Sequence, residues 1–304
     1  MSVVDIAMAT YNGEKYIREQ LDSIISQTFA DWRLFVRDDG SNDNTVEIVR
    51  EYINKDSRIN LIEDNLGNLR VSRNFEQALF YCKAPYTMFA DQDDIWFENK
   101  IENSLSFIKK VEKSDVPVLV FANSVLVNET LSEQFGNNYT LTMQPSLRNF
   151  LFSNAGYQGS TMIFNEKLKE KLVPFSLNCP VHDYHVSLIA LFFGEVYHIP
   201  SAMMLYRRHD NATTKQNLTF KERLVYLLKN KSFLHDEKML NYLKEIVSAN
   251  EKQIALEDIN LIKDYFQILD KKISFFRKIK LVNRNKFVLR ESKIYLIFKL
   301  LVLR

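Results

Sequence analysis

The sequence predicts an α/β fold with a doubly wound sheet, followed by an all-helical region. Short apolar runs alternate four times with segments of helical spacing over residues 3–90. Each run is predominantly apolar, which is typical of parallel strands that helices cover on both faces of a sheet. From residue 218 onward the spacing is helical, with no glycine or proline. We expect one domain at residues 1–215 and a basic helical region at residues 216–304.

Each predicted strand of the first domain ends in a polar turn. The strands lie at residues 3–9, 34–36, 59–62 and 86–90, with helical positions between them within residues 16–25, 46–53 and 71–79. Ligands of such sheets bind at the carboxyl ends of the strands. We therefore expect the turns that follow the four strands to form one site.

The pattern continues with mixed elements beyond residue 94. It predicts a helix from Trp96 to residue 111, strands at residues 116–121, 124–127 and 162–164, a helix at residues 186–193, and a hairpin of residues 196–199 and 202–206. Small residues at 156–161 open the strand at 162–164, which allows a ligand to approach the backbone there. Residues 207–211 then place two arginines, a histidine and an aspartate together.

The composition is that of a globular protein and excludes several classes. The chain has 304 residues, 46% hydrophobic and 26% charged. It has no apolar run of about 18 residues or more and no basic segment before an apolar one, so we expect neither a spanning helix nor a secretory signal. Cys82 and Cys179 lack metal-ligand spacing, which argues against a zinc site and a disulfide-built scaffold. We expect a cytoplasmic protein without a nucleic-acid partner.

The positive charge is concentrated at the carboxy-terminal end. Residues 271–304 hold eleven Lys and Arg against one acid, whereas residues 1–270 hold 29 basic and 37 acidic residues. Basic residues beside apolar ones suit a segment that lies on an anionic membrane surface, where each Lys or Arg contributes roughly 1 kcal/mol. Alternatively, these helices form a bundle with a solvated basic face, or pack against the acidic domain or a second copy of the chain.

Three acids follow the fourth predicted strand within four residues. Asp91, Asp93 and Asp94 repel one another, and burying one of them unpaired is costly, so a cation is expected among them. Mg²⁺ and Mn²⁺ prefer oxygen ligands, and Mg²⁺ is typically held by one or two carboxylates plus substrate phosphates. The alternative is an acidic helix start before residues 96–111, since acids in a first turn favour the helix dipole.

The usual phosphate-binding loops are absent from the sequence. There is neither a Gly-x-Gly-x-x-Gly nor a Gly-x-x-x-x-Gly-Lys-[Ser/Thr] pattern. The charge of a diphosphate would then be met by a metal held by the acids at residues 91–94.

Four ordered motifs of this chain resemble those of family 2 inverting glycosyltransferases with the GT-A fold. They are Met-Ala-Thr-Tyr-Asn-Gly at residues 8–13, Asp-Asp-Gly-Ser at 38–41, Asp-Asn-Leu-Gly at 64–67 with Arg73 and Asn74, and Ala-Asp-Gln-Asp-Asp-Ile-Trp at 90–96. The last form is similar to that of bacterial rhamnosyltransferase-like members, which build surface polysaccharides. The resemblance covers about residues 3–211.

The resemblance implies a set of site residues. On the donor side it implies nucleotide contacts from Thr10, Tyr11, Asn12 and Glu14, a pyrimidine contact from Asp39 supported by Asp38, a diphosphate contact from Arg73, and donor contacts from Asp91 and Gln92. For the metal, Mn²⁺ or Mg²⁺, it implies Asp93, with Asp94 as an alternate ligand, and His209. On the acceptor side it implies Gly159, Ser160, His182 and Trp96, with Asp183 as the catalytic base.

The chemistry that the resemblance implies is a single displacement. The metal neutralises the charge that grows on the departing diphosphate, while Asp183 takes the proton of the acceptor hydroxyl from the opposite face. The implied donor is a UDP- or dTDP-sugar, and the implied acceptor is a glycan. This glycan is either free or linked to a lipid diphosphate. His182 replaces the acid that more commonly precedes this aspartate, as in the rhamnosyltransferase-like members. A simple helix cap is the alternative role for Asp183.

Two other functions compete with a glycosyltransferase. A sugar nucleotidyltransferase also combines a doubly wound sheet with acidic metal ligands, but it normally needs a glycine- and Arg/Lys-rich loop after its first strand, which residues 10–14 lack. A catalytically silent scaffold that binds a polysaccharide-assembly partner through its basic helices is the second alternative.

Overall fold

A computed structural model describes residues 2–140, 143–152, 156–209, 236–289 and 292–302. Asp210 and Asn211 of the basic cluster, and the start of the predicted helical region up to residue 235, lie outside the described residues. The chain forms two compact units: Met1–Met143 with Gly156–Thr214, and Gln144–Ala155 with Lys215–Arg304. The segment 144–155 thus belongs with the second unit, although it lies inside the first predicted domain. The boundary at residues 215 and 216 stays a prediction.

A mixed sheet forms the centre of the first unit. Its strands are β1 (Val4–Thr10), β2 (Trp32–Asp38), β3 (Ile59–Ile62), β4 (Tyr86–Ala90), β5 (Ile95–Trp96), β6 (Val118–Asn128), β7 (Gln134–Asn137), β8 (Met162–Asn165) and β9 (Glu195–Arg208). The strand order is β3-β2-β1-β4-β8-β6-β9-β5, and β7 pairs with β6. The strands β1 to β4 are parallel, as predicted, whereas β8 is antiparallel to β4 and β6.

The register of the parallel strands brings their carboxyl ends level. Thr10 at the end of β1 pairs with Asp38 at the end of β2, and Met8 pairs with Ala90 at the end of β4. The turns that follow these strands therefore start at the same edge of the sheet.

Helices cover the sheet of the first unit. They are α1 (Ile17–Ile25), α2 (Thr45–Ile53), α3 (Arg70–Tyr81), α4 (Lys100–Val111), α6 (Glu166–Leu172) and α7 (His182–Phe193). In α1, Ile17, Leu21 and Ile24 repeat at helical spacing and are fully buried in the same core as Ile6 and Met8 of β1. Both faces of β1 are covered, because Ala7 is also fully buried. This explains why most of the strand is apolar. Its one charged residue, Asp5, is fully buried and pairs with Arg33 at 3.2 Å.

Three predicted elements differ in the structure. The helix predicted from Trp96 begins at Lys100, because Ile95 and Trp96 form β5 and pair with β9. The two strands predicted at 116–121 and 124–127 are one strand, β6. The predicted hairpin is wrong: residues 195–208 form the single strand β9, parallel to β6, in which a register shift absorbs Pro200 and Ser201. Proline is tolerated at such an irregularity, so it does not mark a turn here.

The second unit is helical in its described parts. It contains α5 (Leu147–Phe150), α8 (Glu237–Asn250), α9 (Leu256–Leu269), α10 (Phe275–Asn285) and α11 (Lys293–Val302). Phe152, beside α5, packs edge-on against Tyr265 at 5.0 Å and Phe287 at 5.2 Å between ring centroids. These buried rings explain why the segment 144–155 belongs to this unit. None of the helices in the described ranges is long and apolar enough to cross a membrane.

A buried arginine joins the turns that follow β2 and β3. Arg37 is 1% exposed. Its guanidinium donates to Asp39 at 2.9 Å, to both carboxylate oxygens of Asp64 at 2.8 and 3.0 Å, and to Asn74 and the Gly67 carbonyl at 3.0 Å each. These bonds engage every N–H direction of the guanidinium. The two acidic turns are therefore fixed to each other and to α3.

We expect Arg37→Met to destabilise the first unit by about 3–5 kcal/mol, because it leaves Asp39 and Asp64 without their buried cation. Denaturation followed by tryptophan fluorescence measures this, since Trp32 and Trp96 both lie in the first unit. Arg50→Met is the matched control. Arg50 pairs with Glu63 at 2.9 Å, but their side chains are 60% and 71% exposed, so a loss below about 1 kcal/mol is expected. Equal losses in the two variants would contradict the prediction.

Candidate active site

The acidic turn after β4 is bound to the loop after β1. The Gln92 side chain accepts from the Tyr11 amide at 2.9 Å and donates to the Tyr11 carbonyl at 3.0 Å. A Cβ atom on Gly13 would lie 2.4 Å from the Gln92 Oε1 atom, so a side chain there would displace the Gln92 amide from its present position. Gln92 therefore joins two of the predicted donor-binding segments rather than pointing freely into the site.

The other polar residues of the loop after β1 also hold the turns together. Thr10 donates to Asp38 at 2.9 Å and is 1% exposed. Asp38 also accepts from the Ser41 amide at 2.7 Å. The side chains of Asn12 and Glu14 accept from the amides of residues 42 and 44, both at 2.9 Å. Asn12 and Glu14 are nevertheless exposed, as is Tyr11, whose side chain is 46% exposed.

Asp39 and Arg73 lie on either side of the start of α3. The Asp39 carboxylate is 3% exposed and accepts from the amides of Leu69 at 2.6 Å and Arg70 at 2.7 Å, as well as from Arg37. Arg73 pairs with Glu76 at 2.8 Å and donates to the Phe175 carbonyl at 3.3 Å, with its side chain 34% exposed. In this structure Asp39 is thus engaged by the chain itself, whereas Arg73 remains partly accessible.

The expected metal ligands form one close pair. The Asp93 Oδ2 atom lies 2.8 Å from the His209 Nε2 atom, and the His209 ring packs 4.8 Å from the Tyr16 ring. Asp94 is fully buried and accepts from the Arg207 amide at 3.3 Å. Within the part of the chain that the structure describes, no three His, Cys, Asp or Glu side chains form a group that could hold a metal ion. The chain thus offers two ligands together, one carboxylate and one imidazole.

A buried lysine lies behind the acidic turn. Lys100, the first residue of α4, is fully buried, donates to the Ser160 carbonyl, and lies 3.5 Å from the centre of the Trp96 ring. Burial lowers the pKa of Lys100 well below its usual range, while the charges of Asp94 and Asp91 act in the opposite direction. Trp96 is itself only 2% exposed. In this structure Trp96 packs against Lys100, and its acceptor-side role stays a prediction.

The acidic turn carries the most strongly perturbed carboxylates. Burial, followed by the negative charges of Asp93 and Asp183, raises the pKa of Asp91 to about 7. Burial also raises the pKa of Asp94 well above its usual range, with further contributions from Asp93 and Asp91. Perturbed groups of this kind gather at functional sites, where burial and like charges are arranged around the chemistry.

Asp183 stands at the first turn of α7, beside residues 156–161, which we call the glycine loop. The Gly159 amide donates to the Asp183 Oδ2 atom at 3.4 Å. A Cβ atom on Gly156 would lie 2.1 Å from the backbone of Asp183, and one on Gly159 would lie 2.6 Å from His182. The glycines before β8 thus allow the start of α7 to pack closely against this loop. The sequence alone had suggested that a ligand approaches the backbone there.

His182 is buried under Asp183. Its ring stacks on Phe75 at 3.8 Å and meets Phe89 edge-on at 5.0 Å. Burial lowers the pKa of His182. The neutral ring therefore fixes the start of α7 without adding a charge next to Asp183.

Comparison with known proteins identifies the family. The model of glycosyl transferase family 2 matches residues 5–193. The chain belongs to this family. It is therefore a glycosyltransferase, and the match decides against the nucleotidyltransferase considered from the sequence.

Named relatives support the same assignment. The dTDP-rhamnosyl transferase RfbG of Shigella flexneri is 29% identical to this glycosyltransferase over 242 residues, covering 74% of this chain and 80% of RfbG. The UDP-Glc:alpha-D-GlcNAc-diphosphoundecaprenol beta-1,3-glucosyltransferase WfgD of Escherichia coli is 32% identical over 192 residues, covering 62% of this chain and 70% of WfgD.

Solved structures confirm the GT-A fold. S. aureus TarS 1–349, crystallised with UDP-GlcNAc, matches with a TM-score of 0.58 at 19% identity, covering 94% of this chain and 88% of that one. The mannosyltransferase PcManGT of Pyrobaculum calidifontis, in complex with GDP-Man and Mn²⁺, matches with a TM-score of 0.52 at 14% identity, covering 99% and 86%. At these identities the likeness concerns the fold.

The structure brings most of the expected site residues of the glycosyltransferase to one region. The Asp91–Asp94 turn joins Tyr11 through Gln92, His209 through Asp93, and the glycine loop through Lys100. Asp183 lies close enough to Asp91 to raise the pKa of that residue. Their individual roles stay predictions.

Sequence reasoning missed Arg37 and Lys100 and gave Arg207 no role. Arg37 had a signal, because a charged residue between the apolar run at residues 34–36 and two acids indicates a buried ion pair. Lys100 had none, because a lysine in the first turn of an amphipathic helix is ordinarily exposed. Arg207 lies on a strand that the sequence suggested was a hairpin.

We expect the stability of the metal-free wild-type enzyme, relative to Asp91→Asn, to fall as the pH rises from about 4 to about 7. The unfolded carboxyl releases its proton near 3.8, whereas folded Asp91 keeps it to about 7. The folded state therefore binds more protons across this range, and its relative stability declines by up to about 1.4 kcal/mol per pH unit. Denaturation midpoints of both proteins in chelator-treated buffers measure the difference. A constant difference over the range would contradict the prediction.

Proposed function

We propose that this enzyme transfers a sugar from a UDP- or dTDP-sugar to a saccharide acceptor, with inversion, in the synthesis of a bacterial surface polysaccharide or related glycan. The observation that carries the proposal is the approach of Asp183 to the acidic turn at the sheet edge. This arrangement places a carboxylate that can deprotonate an acceptor next to carboxylates that can face a metal-bound nucleotide diphosphate. The names of the relatives, a dTDP-rhamnosyl transferase and a UDP-glucose-dependent glucosyltransferase, support this substrate class.

The donor nucleotide is proposed to lie over the loop after β1. Tyr11 is half exposed there and offers an aromatic face to a base, while Arg73 is partly exposed on α3 and offers a cation to the diphosphate. Thr10, Asn12, Glu14, Asp38 and Asp39 are proposed to shape this pocket, because their hydrogen bonds fix its turns.

A divalent metal, Mn²⁺ or Mg²⁺, fits the residues present. Asp93 and His209 would hold it, because Mg²⁺ takes one or two protein carboxylates and completes its coordination with phosphate oxygens and water, and Mn²⁺ also accepts imidazole. Asp94 is less suited, since it is fully buried and accepts from the Arg207 amide. When bound, the metal would neutralise negative charge on the departing diphosphate.

Asp183 is proposed as the base that takes the proton from the acceptor hydroxyl. Its side chain is 26% exposed, so an acceptor can reach it, and the Gly159 amide holds one of its oxygens. Attack from the Asp183 side, opposite to the diphosphate, inverts the anomeric carbon in one displacement. Buried His182 and the glycine loop keep the carboxylate in place, and Ser160 connects this loop to Lys100.

The described helices of the second unit support a contact with an anionic membrane surface. Phe276 and Ile294 are 81% and 80% exposed. Exposed basic residues surround them in the sequence, among them Lys272, Lys280 and Lys293. Such a surface suits a lipid-linked acceptor at the inner face of the plasma membrane. Pairing of two chains through these helices is the competing prediction.

We expect Asp183→Asn to reduce transfer by at least about 100-fold, because a positioned general base contributes about 10²–10⁴-fold. Donor affinity should change little, since Asp183 is assigned to the acceptor. Turnover is measured with purified enzyme, a panel of UDP- and dTDP-sugars and a glycan acceptor, and donor affinity is measured by calorimetry. Turnover near the wild-type value would remove Asp183 from the base role. If the wild-type protein neither hydrolyses nor transfers the sugar of any donor in the panel, the result favours the catalytically silent scaffold.

We expect the double variant Phe276→Ser/Ile294→Ser to bind vesicles of phosphatidylglycerol and phosphatidylethanolamine about tenfold or more weakly than the wild type. Burying one such side chain contributes about 1.5–3 kcal/mol, and 1.4 kcal/mol corresponds to about tenfold. Leu256→Ser is the matched control, because Leu256 is 73% exposed in the same unit but begins a helix with two acids in its first turn. If the double variant binds vesicles as the wild type does, but no longer forms a dimer that the wild type forms in analytical sedimentation, pairing of two chains is favoured instead.

A further inference from the structure

Arg207 connects the acidic turn to two other parts of the site. It belongs to β9, where it pairs with Val127 of β6, and it is only 4% exposed. Its Nε atom donates to the Asp93 carbonyl at 2.9 Å, and its amide donates to the Asp94 carboxylate at 3.3 Å. One residue of β9 thus holds two residues of the acidic turn through both its backbone and its side chain.

The far end of the same guanidinium is anchored on both sides. One terminal nitrogen donates to the Glu129 carbonyl, just after β6, at 2.5 Å, and the other pairs with the carboxylate of Glu19 on α1. The guanidinium also lies 4.9 Å from the centre of the Tyr16 ring. Arg207 is therefore fixed by α1, by the turn after β6 and by the acidic turn at once.

His209 follows Arg207 by two residues and shares its surroundings. The His209 ring packs against Tyr16, whose hydroxyl donates to the Glu129 carboxylate at 2.6 Å. Its Nε2 atom meets the Asp93 carboxylate at 2.8 Å. Thus Asp93 is held through its carbonyl by Arg207, while its carboxylate meets His209, which directly follows the end of β9.

We infer that Arg207 is a positioning residue that sets the distance between Asp93 and His209 before any ligand binds. The inference rests on the proposed function, in which this pair holds a divalent metal against a nucleotide diphosphate. Arg207 touches neither metal nor nucleotide in this arrangement. It acts by fixing the acidic turn against β9. Asp93 and His209 are then already close together before the metal binds, so no binding energy is spent on bringing them together.

The chemistry of the side chain explains why arginine is needed here. The planar guanidinium donates in three fixed directions at once, to Asp93, to the Glu129 carbonyl and to Glu19. A lysine keeps the charge but presents it from a single flexible point, so it cannot hold these separated acceptors together. Arg207→Lys therefore removes the bridge while preserving the charge.

The test compares Arg207→Lys with Arg58→Lys in the full chain. Arg58 also makes a two-pronged contact, with Asp56 at 2.6 and 3.0 Å, and lies 3.8 Å from the Trp32 ring, but it stands before β3 and away from the acidic turn. Asp93→Asn serves as the reference for loss of a metal ligand. UDP and dTDP affinities are measured by calorimetry with and without Mn²⁺, and amide hydrogen exchange of residues 91–96 is measured without any ligand.

We expect Arg207→Lys to weaken the Mn²⁺-dependent part of nucleotide affinity by about 10- to 100-fold, as outer-shell changes do. Affinity without metal should stay within about twofold, and exchange of residues 91–96 should become faster. Arg58→Lys should change neither quantity. An Arg207→Lys enzyme that matches the wild type in both measurements overturns the inference. A loss that is equal with and without Mn²⁺ also overturns it, because that is the result of general damage to the fold.

The two proposals fail in different ways. A wild-type enzyme without any Mn²⁺-dependent gain in affinity for UDP or dTDP contradicts the metal part of the proposed function. Hydrogen exchange then still decides the positioning role, since it needs no ligand. Faster exchange of residues 91–96 in Arg207→Lys alone supports that role, and unchanged exchange rejects it.

Discussion

Buried cations hold the carboxylates at the functional edge of the sheet. Carboxylates that gather in a poorly hydrated region repel one another and favour protonation, so a folded chain must compensate for them. Arg37 compensates for Asp39 and Asp64, whereas Lys100 and Arg207 lie against the acidic turn. Each of the three cations is at most 4% exposed. The loops of the site are thus ordered by internal ion pairs and hydrogen bonds rather than by apolar packing.

The negative charges around Asp91 are not fully balanced by the buried lysine. The pKa of Asp91 is raised to about 7 by burial and by the neighbouring charges of Asp93 and Asp183, although Lys100 lies nearby. A site with excess negative charge is prepared for a cation, and a divalent metal with a nucleotide diphosphate would supply one. The electrostatics of the fold thus supports the class of ligand that we propose for this site.

The two halves of the sheet contribute different parts of the site. The parallel strands β1, β2 and β4 end level with one another, so their turns form the proposed donor side. The antiparallel strand β8 returns beside β4 and places the glycine loop next to the start of α7. Gly156 and Gly159 allow this approach, because a side chain on either would collide with residues 182–184. Asp183 thereby reaches the proposed acceptor side.

The sequence by itself determined the alternating strands and helices up to residue 90, the position of the acidic turn and the membership of family 2. These features depend on local patterns, namely apolar runs, helical spacing and short motifs, which need no knowledge of the fold. Only the tertiary structure decided that Gln92 binds the loop after β1, that Trp96 is buried against Lys100, and that β9 is one strand that carries Arg207 and leads directly to His209. Those facts depend on which distant segments become neighbours. A one-dimensional pattern records the burial of a residue, but it does not record the partner against which the residue is buried.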